Sequence, residues 1–249
     1  MRFQNKVALV TGAAGGIGRG TCVRLGSEGA QIYGVDVDTA GLDETAGMVR
    51  EAGGTIETGE CNVTDRQACF DAVAACVAKY EKLDVLANVA GIVRFAHAPE
   101  MSEKDWNLIL AVNLSGPFFL SQAAIPHLLA SGGNIVNIAS NAGLMGQAYT
   151  VAYCASKAGL INMSRALAME FVKKDIRINC VAPAGTATNL VHGIDFPPEI
   201  DASLMNRYRG FRPMSQPEDI VNVVAFLASD EAKAVHGAVW EADQAVSAG

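Results

Sequence analysis

The fold of this chain is decided by the stretch Val7-Ala-Leu-Val-Thr11-Gly12-Ala-Ala-Gly-Gly16-Ile-Gly18. The continuous apolar run at 7–11 predicts a short strand that is buried on both faces. The glycines that follow predict a tight turn, and a helix is predicted from the turn to about residue 29. A strand that passes through a glycine turn directly into a helix is the first unit of an alternating α/β fold.

The same alternation of short apolar strands and helices continues to the end of the chain. It predicts a parallel sheet covered by helices on both faces, because strands joined through helices pair in parallel. Further strands are predicted at 31–36, 55–60, 84–88, 134–140, 177–182 and 238–242. Further helices are predicted at 40–52, 65–80, 102–130, 150–174 and 216–229, with a shorter one at 200–208.

Composition indicates one sizeable globular domain, since the 249 residues are 50% hydrophobic. The formal net charge of −7 argues against nucleic acid or an anionic membrane as the main partner. No apolar run reaches about 18 residues and no signal peptide is recognised, so we expect a soluble, cytoplasmic protein. The six cysteines include no Cys-x-x-Cys pair and are interpreted as buried thiols in a reducing compartment.

The glycine turn also has the chemistry of a nucleotide site. Gly12, Gly16 and Gly18 would let the backbone approach a pyrophosphate, and the helix start would offer free N–H groups. A tight turn without a ligand is the alternative, but Asp36 follows the second strand at the spacing expected of an acid that binds the adenosine ribose. Its charge would repel a 2′-phosphate, and positions 13–17 and 35–38 hold no Arg or Lys. We therefore predict NAD as the cofactor, with NADP disfavoured.

Tyr153 and Lys157 lie four residues apart in the helix predicted at 150–174. Side chains at this spacing share a helix face, and a nearby cation favours the phenolate form. We expect Lys157 to lower the pKa of Tyr153, so that the phenol can exchange a proton with an alcohol or a carbonyl oxygen.

Taken together, these motifs resemble those of the short-chain dehydrogenase/reductase family in its compact single-domain form. The resemblance extends over essentially the whole chain. It implies a single-domain Rossmann fold, with a doubly wound, mostly parallel seven-stranded sheet, and an oxidoreductase that acts on a secondary alcohol or ketone. The motifs occur in order: Thr11-Gly-x-x-x-Gly-x-Gly18, Asn88-Val-Ala-Gly91, Asn113, Ser140, Tyr153-x-x-x-Lys157 and the segment 183–188.

The resemblance also implies a role for each matching residue. Tyr153 would be the general acid/base, and Lys157 would assist it and bind the nicotinamide ribose. Ser140 would bind the substrate oxygen, and Asn113 would hold a water that links Lys157 to solvent. No metal is implied, and the assembly would be a homotetramer packed through the helices at 102–130 and 150–174. The implied cofactor-binding residues are Gly12, Gly16, Ile17, Gly18, Asp36, Asn62, Val63, Asn88, Gly91, Tyr153, Lys157, Pro183, Thr186 and Thr188.

Three positions depart from the family pattern. Asn62 replaces the usual aspartate at the adenine, and its amide oxygen can still accept a bond from the adenine amino group. Pro183-Ala184 replaces the usual Pro-Gly pair, with Gly185 one place later. The last strand leads into Glu241-Ala-Asp-Gln244 rather than Val-Asp-Gly-Gly.

Residues 184–214 interrupt the alternation and are predicted to form a substrate loop or lid. The alcohol itself is not identified. An NADP-dependent reductase of 3-ketoacyl groups on a carrier protein and a non-catalytic nucleotide-sensing protein remain the alternatives. An apolar pocket is predicted from Leu190, Val191, Ile194, Phe196, Leu204, Met205, Tyr208 and Phe211, with Ala142, Leu144, Met145 and Tyr149.

Overall fold

The computed structural model describes residues 1–188, 190 and 195–248. In this part of the chain, seven strands form one sheet: β1 (Val7–Thr11), β2 (Gln31–Asp36), β3 (Thr55–Glu60), β4 (Val85–Asn88), β5 (Asn134–Ile138), β6 (Arg177–Pro183) and β7 (Val239–Ala242). Their order is β3-β2-β1-β4-β5-β6-β7, and every neighbouring pair is parallel. The predicted seven-stranded parallel sheet is confirmed.

Helices cover both faces of the sheet, as predicted. One layer contains α1, α2 and α8, and the other contains α3, α5 and α6. The described helices are α1 (Gly16–Ser27), α2 (Thr39–Glu51), α3 (Arg66–Tyr80), α4 (Glu103–Leu110), α5 (Gly116–Ser131), α6 (Val151–Glu170), α7 (Ala202–Arg209) and α8 (Pro217–Ala228).

The central strand β1 shows why the sheet needs both layers. Its side chains alternate, with Ala8 and Val10 in the core under α1, α2 and α8, and Val7 and Leu9 in the core under the other layer. All four are fully buried. A strand with apolar residues on both faces is stable only when both faces are covered, which is why the run at 7–11 is continuously apolar.

The strand order places a crevice at the carboxyl end of β1. The chain runs outward through β2 and β3 and then crosses to β4 on the other side of β1. The connections that follow β1 and β4 therefore leave in opposite directions, and this topological switch point is where ligands bind in open parallel sheets.

The helix predicted at 102–130 is present but is not regular. Between α4 and α5, residues Ala111–Ser115 form one wide turn, in which the N–H of Gly116 donates to the Ala111 carbonyl five residues earlier. By length and composition alone, the stretch Glu103–Ser131 could cross a membrane, with a mean hydropathy of 1.6. It packs against α3, α6 and β4 through its apolar side, as the core helix of a globular protein does.

Two predicted ends are wrong by several residues, each for a local reason. The helix predicted to 174 ends at Glu170, because residues 172–175 are all exposed and have no surface to pack against. The strand predicted to 140 ends at Ile138, because Ser140 accepts a bond from the Ala142 N–H at 3.1 Å and starts a short turn.

Candidate active site

One large cavity lies along the carboxyl edge of the sheet. Its volume is about 1180 Å³, and it extends from Asp36 at the end of β2 to residues of the predicted substrate segment. The glycine turn lines one part of it, and Ser140, Tyr153 and Lys157 line another. The two motifs that the sequence suggested separately therefore open into one space.

The turn after β1 has a shape that only glycine permits at two positions. Gly12 has a φ of +66°, and a Cβ there would lie 2.9 Å from the backbone nitrogen of Ala90. A Cβ on Gly18 would lie 2.0 Å from the carbonyl oxygen of Gly12, which is well inside van der Waals contact. The helix consequently begins close against the strand that precedes it.

The start of α1 is suited to a pyrophosphate. Its cap residue, Gly15, is extended and has no side chain to bind the free N–H groups of the first turn. Gly15, Gly16 and Ile17 all line the cavity, so these donors and the positive end of the helix dipole are available to an anion. Thr188 lies beside them, since its methyl carbon would be 3.1 Å from a Cβ on Gly16.

Asp36 is held rigidly at the far end of the cavity. Its Oδ2 accepts from the Ala14 N–H at 3.1 Å, and its Oδ1 accepts from the N–H groups of Val37 and Asp38 at 2.7 and 3.2 Å. A carboxylate fixed in this way and exposed to the cavity can accept bonds from the two hydroxyls of a ribose.

The residues predicted to bind the adenine line the cavity, but the Asn62 side chain already makes hydrogen bonds within the protein. Val63 and Asn62 line the cavity beside Cys61 and Thr64. The Asn62 Oδ1 already accepts bonds from the Thr64 N–H at 3.1 Å and the Thr64 hydroxyl at 2.8 Å. This oxygen would have to exchange one of these bonds to receive an adenine amino group, and that contact stays a prediction.

Asn88 does not face the cavity. Its side chain is buried in the sheet layer, where Nδ2 donates to Asn137 Oδ1 at 2.8 Å. The cavity wall is formed by the following residues Val89, Ala90 and Gly91, and the Thr11 hydroxyl accepts from the N–H groups of Val89 and Ala90. Of the two residues predicted to line the adenosine and ribose side, Gly91 lines the cavity and Asn88 does not, because the Asn88 amide braces β4 against β5 instead.

Ser140, Tyr153 and Lys157 form the predicted catalytic group. Tyr153 and Lys157 occupy successive turns of α6, and the Lys157 Nζ lies 5.7 Å from the centre of the Tyr153 ring. Lys157 is buried and donates to the Ile138 carbonyl at 2.8 Å, at the end of β5. Ser140 follows the same strand, and its side chain lies near enough to the Tyr153 hydroxyl to lower the pKa of that phenol.

Burial dominates the electrostatics of this group. It raises the pKa of Tyr153 above its ordinary value of 10.0, and the neighbouring Ser140 side chain acts in the opposite direction. Burial also lowers the pKa of Lys157 to about 8. The expectation that Lys157 lowers the pKa of Tyr153 is wrong for the free protein, because the ammonium is itself desolvated and turned toward the Ile138 carbonyl.

Asn113 lies in the wide turn between α4 and α5, close to Lys157. Its Oδ1 accepts from the Ile92 N–H at 2.8 Å, while its Nδ2 donates to the Ile92 carbonyl at 2.8 Å and to the Ser156 hydroxyl at 3.1 Å. Both side-chain hydrogens are thus used within the protein. The side chain fixes the segment after β4 against α6, and a water relay at Asn113 stays a prediction.

Residues 185–187 and 215 pin the base of the predicted substrate segment. Thr186 pairs with Ser215, the Ser215 N–H donates to the Gly185 carbonyl at 3.1 Å, and the Ala187 N–H donates to the Ser215 carbonyl at 2.9 Å. The departure at Ala184 and Gly185 is accommodated within this pairing. The four residues at 183–186, together with Thr188, line the cavity as expected.

The residues after β7 that depart from the family pattern contact the start and end of the predicted substrate segment. Gln244 and Ala245 both have positive φ values, +56° and +69°, where glycine is favoured. The Asp243 carboxylate holds this backbone by accepting from the N–H groups of Ala245 and Ser247. The Gln244 Nε2 donates to the Ser215 hydroxyl at 3.1 Å, so the tail supports the base of the substrate segment.

The substrate end of the cavity differs in part from the predicted apolar pocket. Leu190, Phe196, Met205 and Tyr208 line it as predicted, while Val191 and Ile194 lie outside the described residues. The other residues predicted for the pocket do not line the cavity: Leu204, Phe211, Tyr149, Ala142, Leu144 and Met145. Sequence reasoning missed Phe95, Asn141, Gln147 and Arg212, which line the cavity and had no motif to mark them.

Tyr149 instead anchors the segment that closes this end. Its hydroxyl accepts from the Asp201 N–H at 2.8 Å, and its ring meets the His97 ring edge-on at 5.2 Å. The His97 Nε2 lies 2.8 Å from the Pro198 carbonyl, and the Phe95 ring contacts the Phe196 ring at 4.9 Å. The segment before α7 thus rests on residues from two other loops.

A Lys157→Met variant is expected to change how stability depends on pH. Because burial lowers the Lys157 pKa from 10.5 to about 8, the folded state binds fewer protons than the unfolded state between these values. The unfolding free energy of the cofactor-free wild type should therefore gain roughly 3 kcal/mol, relative to the variant, as the pH rises through that window. Urea unfolding of both proteins from pH 7 to 10.5 measures it, and parallel curves would contradict it.

Comparisons with known proteins agree with this geometry. The family model described as short chain dehydrogenase matches residues 6–196. A 3-oxoacyl-acyl-carrier-protein reductase of Thermotoga maritima is 37% identical over 240 residues, covering 96% of each chain. A D-threitol dehydrogenase of Mycolicibacterium smegmatis is 37% identical over 238 residues, covering 95% of this chain and 91% of that one.

A solved structure extends the likeness to the whole fold. A short chain dehydrogenase from Mycobacterium paratuberculosis bound to NAD superposes with a TM-score of 0.90 at 27% identity, covering 100% of both chains. Similarity in sequence and structure thus extends over the full length of the chain. It includes the parallel sheet, the glycine turn and the group of Ser140, Tyr153 and Lys157. The chain belongs to the short-chain dehydrogenase family, whose members are oxidoreductases that act on alcohols and ketones.

Proposed function

We propose that this protein interconverts a secondary alcohol and its ketone with NAD(H) as the cofactor. The observation that carries the proposal is the single cavity at the carboxyl edge of the sheet. Its two ends hold a fixed carboxylate, Asp36, and a tyrosine beside a serine, Tyr153 and Ser140. A dinucleotide that lies along the glycine turn reaches from Asp36 at one end to Tyr153 and Ser140 at the other.

The cavity residues fit a nicotinamide dinucleotide on structural grounds. The uncapped start of α1 would hold the pyrophosphate, Asp36 the adenosine ribose and Val63 the base. Lys157 and Tyr153 would bind near the nicotinamide ribose, with Thr188 on the same side as the helix start. When bound, the nicotinamide supplies or accepts the hydride, which no side chain of this protein can do.

The protein's own contribution is to orient the substrate and to move one proton. In alcohol oxidation, the Tyr153 phenolate would take the hydroxyl proton while the Ser140 hydroxyl donates to the same oxygen and holds it in place. In ketone reduction the phenol gives the proton back, so oxidation should be faster at high pH and reduction at low pH.

The preference for NAD over NADP rests on charge. The cavity end around Asp36 includes a second carboxylate, Asp38, and none of the described residues that line this end is Arg or Lys. The nearby Arg19 is turned away, because its guanidinium donates to the Ala14 carbonyl and to Glu44 at 2.6 and 2.7 Å. A 2′-phosphate here would meet two negative charges and no cation.

Asp36→Ala is expected to lower kcat/KM for NAD by about tenfold or more and to raise it for NADP. The reason is that the variant loses the acceptor for the ribose hydroxyls and also loses the charge that repels a 2′-phosphate. Initial rates with both cofactors, measured on the wild type and the variant, test this. An Asp43→Ala variant, which removes an exposed carboxylate of α2 outside the cavity, is the matched control. A wild type that prefers NADP would contradict the assignment of Asp36.

The carrier-protein reductase alternative has one observation in its favour, the 37% identity to the Thermotoga enzyme. An NADP-dependent reduction of a 3-ketoacyl group would use the same Tyr153 and Ser140. The cofactor assay, together with a 3-ketoacyl thioester as substrate, separates the two functions. Faster thioester reduction with NADPH than any alcohol oxidation with NAD would favour the alternative.

We also infer a homotetramer in the cytoplasm. Exposed apolar side chains on α5 and α6, including Phe118, Val151 and Met169, support packing between subunits. All six cysteines are free thiols, which supports a reducing compartment. Light scattering coupled to size exclusion tests the assembly, and a monomer at micromolar concentration would contradict it.

A further inference from the structure

The substrate end of the cavity contains a pair of amide side chains, Asn141 and Gln147, directly beside Ser140. The Asn141 Oδ1 accepts from the Ser140 hydroxyl at 3.3 Å and from the Gln147 Nε2 at 3.0 Å. Both amides belong to the cavity lining. The serine assigned to the substrate oxygen is thus joined to Gln147 through a single shared acceptor atom.

The backbone holds this pair in place. Asn141 starts the short turn capped by Ser140, and its carbonyl accepts from the N–H groups of Leu144 and Met145 at 2.9 and 3.0 Å. The Gln147 carbonyl accepts from the Thr150 hydroxyl at 3.0 Å, just before α6 begins. The geometry of the amides is therefore set by the same segment that sets Ser140 and Tyr153.

The two amides differ in access. Asn141 is buried, and its Nδ2 has no hydrogen-bond partner among the described residues. Gln147 is partly exposed to the cavity, and within the described part of the chain its Oε1 accepts no hydrogen bond. Gln147 is accordingly the member of the pair that can touch a substrate.

The surroundings limit what Gln147 can bind. The described walls of this end are mainly apolar, and Arg212 is exposed at the rim. The Tyr208 hydroxyl already donates to the Ala148 carbonyl at 3.1 Å. A neutral amide has both a donor and an acceptor, which matches a hydroxyl group, whereas a carboxylate or phosphate would require a cation.

We propose that Gln147 binds a second hydroxyl of the substrate, on the carbon next to the one oxidised, so that the substrate class is a vicinal diol or the corresponding hydroxyketone. This rests on the proposed alcohol dehydrogenase function. Because Gln147 Nε2 and Ser140 Oγ bond the same Asn141 oxygen, their separation is at most the sum of two hydrogen-bond lengths. Two oxygens on adjacent carbons can meet both groups at once. Asn141 is the positioning residue that sets this separation.

The test compares diols with matched mono-alcohols. We would measure kcat/KM for cyclohexane-1,2-diol against cyclohexanol and for hexane-3,4-diol against hexan-3-ol, with NAD and NADP. The wild type should prefer each diol by about tenfold or more, the effect of one hydrogen bond in a dry pocket. Gln147→Met, which keeps the length of the side chain and removes the amide, should lower the ratio of diol to mono-alcohol kcat/KM about tenfold.

Asn141 is tested through the ratio of diol to mono-alcohol activity, which does not depend on how much enzyme is folded. Asn141→Ala should lower this ratio, and Asn141→Asp, which keeps an acceptor for Gln147 and Ser140, should restore it. Equal loss on both substrate types in Gln147→Met, or no loss on either, would overturn the inference. A wild type that oxidises mono-alcohols as well as diols would overturn the inference alone, whereas one that oxidises neither with either cofactor would overturn the proposed function as well.

Discussion

Tyr153→Phe is expected to lower kcat by a factor of about 10² to 10⁴ while the fold and NADH binding are retained. Removing the hydroxyl removes the proton donor and acceptor, for which the typical contribution is of this size. The ring itself stays, so the contact with Lys157 above it is preserved. Steady-state oxidation and reduction rates, with NADH fluorescence titration as the binding measurement, check the prediction.

The matched control is Tyr80→Phe, which removes a tyrosine hydroxyl far from the cavity. That hydroxyl donates to the Ile32 carbonyl at 3.0 Å, so its loss should cost about 1 kcal/mol of stability and leave turnover unchanged. If Tyr153→Phe turned over at the wild-type rate, Tyr153 could not be the group that moves the proton.

Gly18→Ala should abolish measurable NADH binding, with an affinity loss of at least about a hundredfold. The added Cβ would lie 2.0 Å from the Gly12 carbonyl oxygen and 2.6 Å from its carbon, so the turn and the start of α1 must move apart. We also expect the unfolding free energy to fall by about 1–3 kcal/mol, as for other overpacked sites. NADH titration and urea unfolding measure the two effects.

Gly47→Ala is the matched control for the glycine prediction. Gly47 lies inside α2, and a Cβ there would meet nothing within 4 Å. The variant should bind NADH like the wild type and be more stable by up to about 1 kcal/mol, because alanine is the better helix former. Near-wild-type NADH affinity in Gly18→Ala would show that the turn does not hold the dinucleotide in the assigned way.

Much of the candidate site was predictable because it depends on short stretches of chain. The glycine turn, Asp36 at the end of β2 and the spacing of Tyr153 and Lys157 are properties of single strands, turns or helices. Such elements have fixed periods, and parallel pairing brings the carboxyl ends of strands to one edge. The sequence thus predicted that these groups share the cavity.

The misplaced residues are those whose side-chain orientation depends on a hydrogen-bond partner distant in sequence. Asn88 turns into the sheet to bond Asn137. Tyr149 turns to receive the N–H of Asp201, which is distant in sequence. Each choice depends on a partner that the chain brings close only when folded, so no local pattern could have revealed it.

The sequence by itself determined the order of strands and helices and the glycine turn, and it predicted the group of Ser140, Tyr153 and Lys157, since these follow from local periodicity and residue chemistry. Tertiary structure alone decided the electrostatics and the substrate contacts. Burial raises the pKa of Tyr153 and lowers that of Lys157, and it is a property of everything packed around them. The link from Ser140 through Asn141 to Gln147 likewise exists only because a folded loop places three polar groups around one oxygen atom.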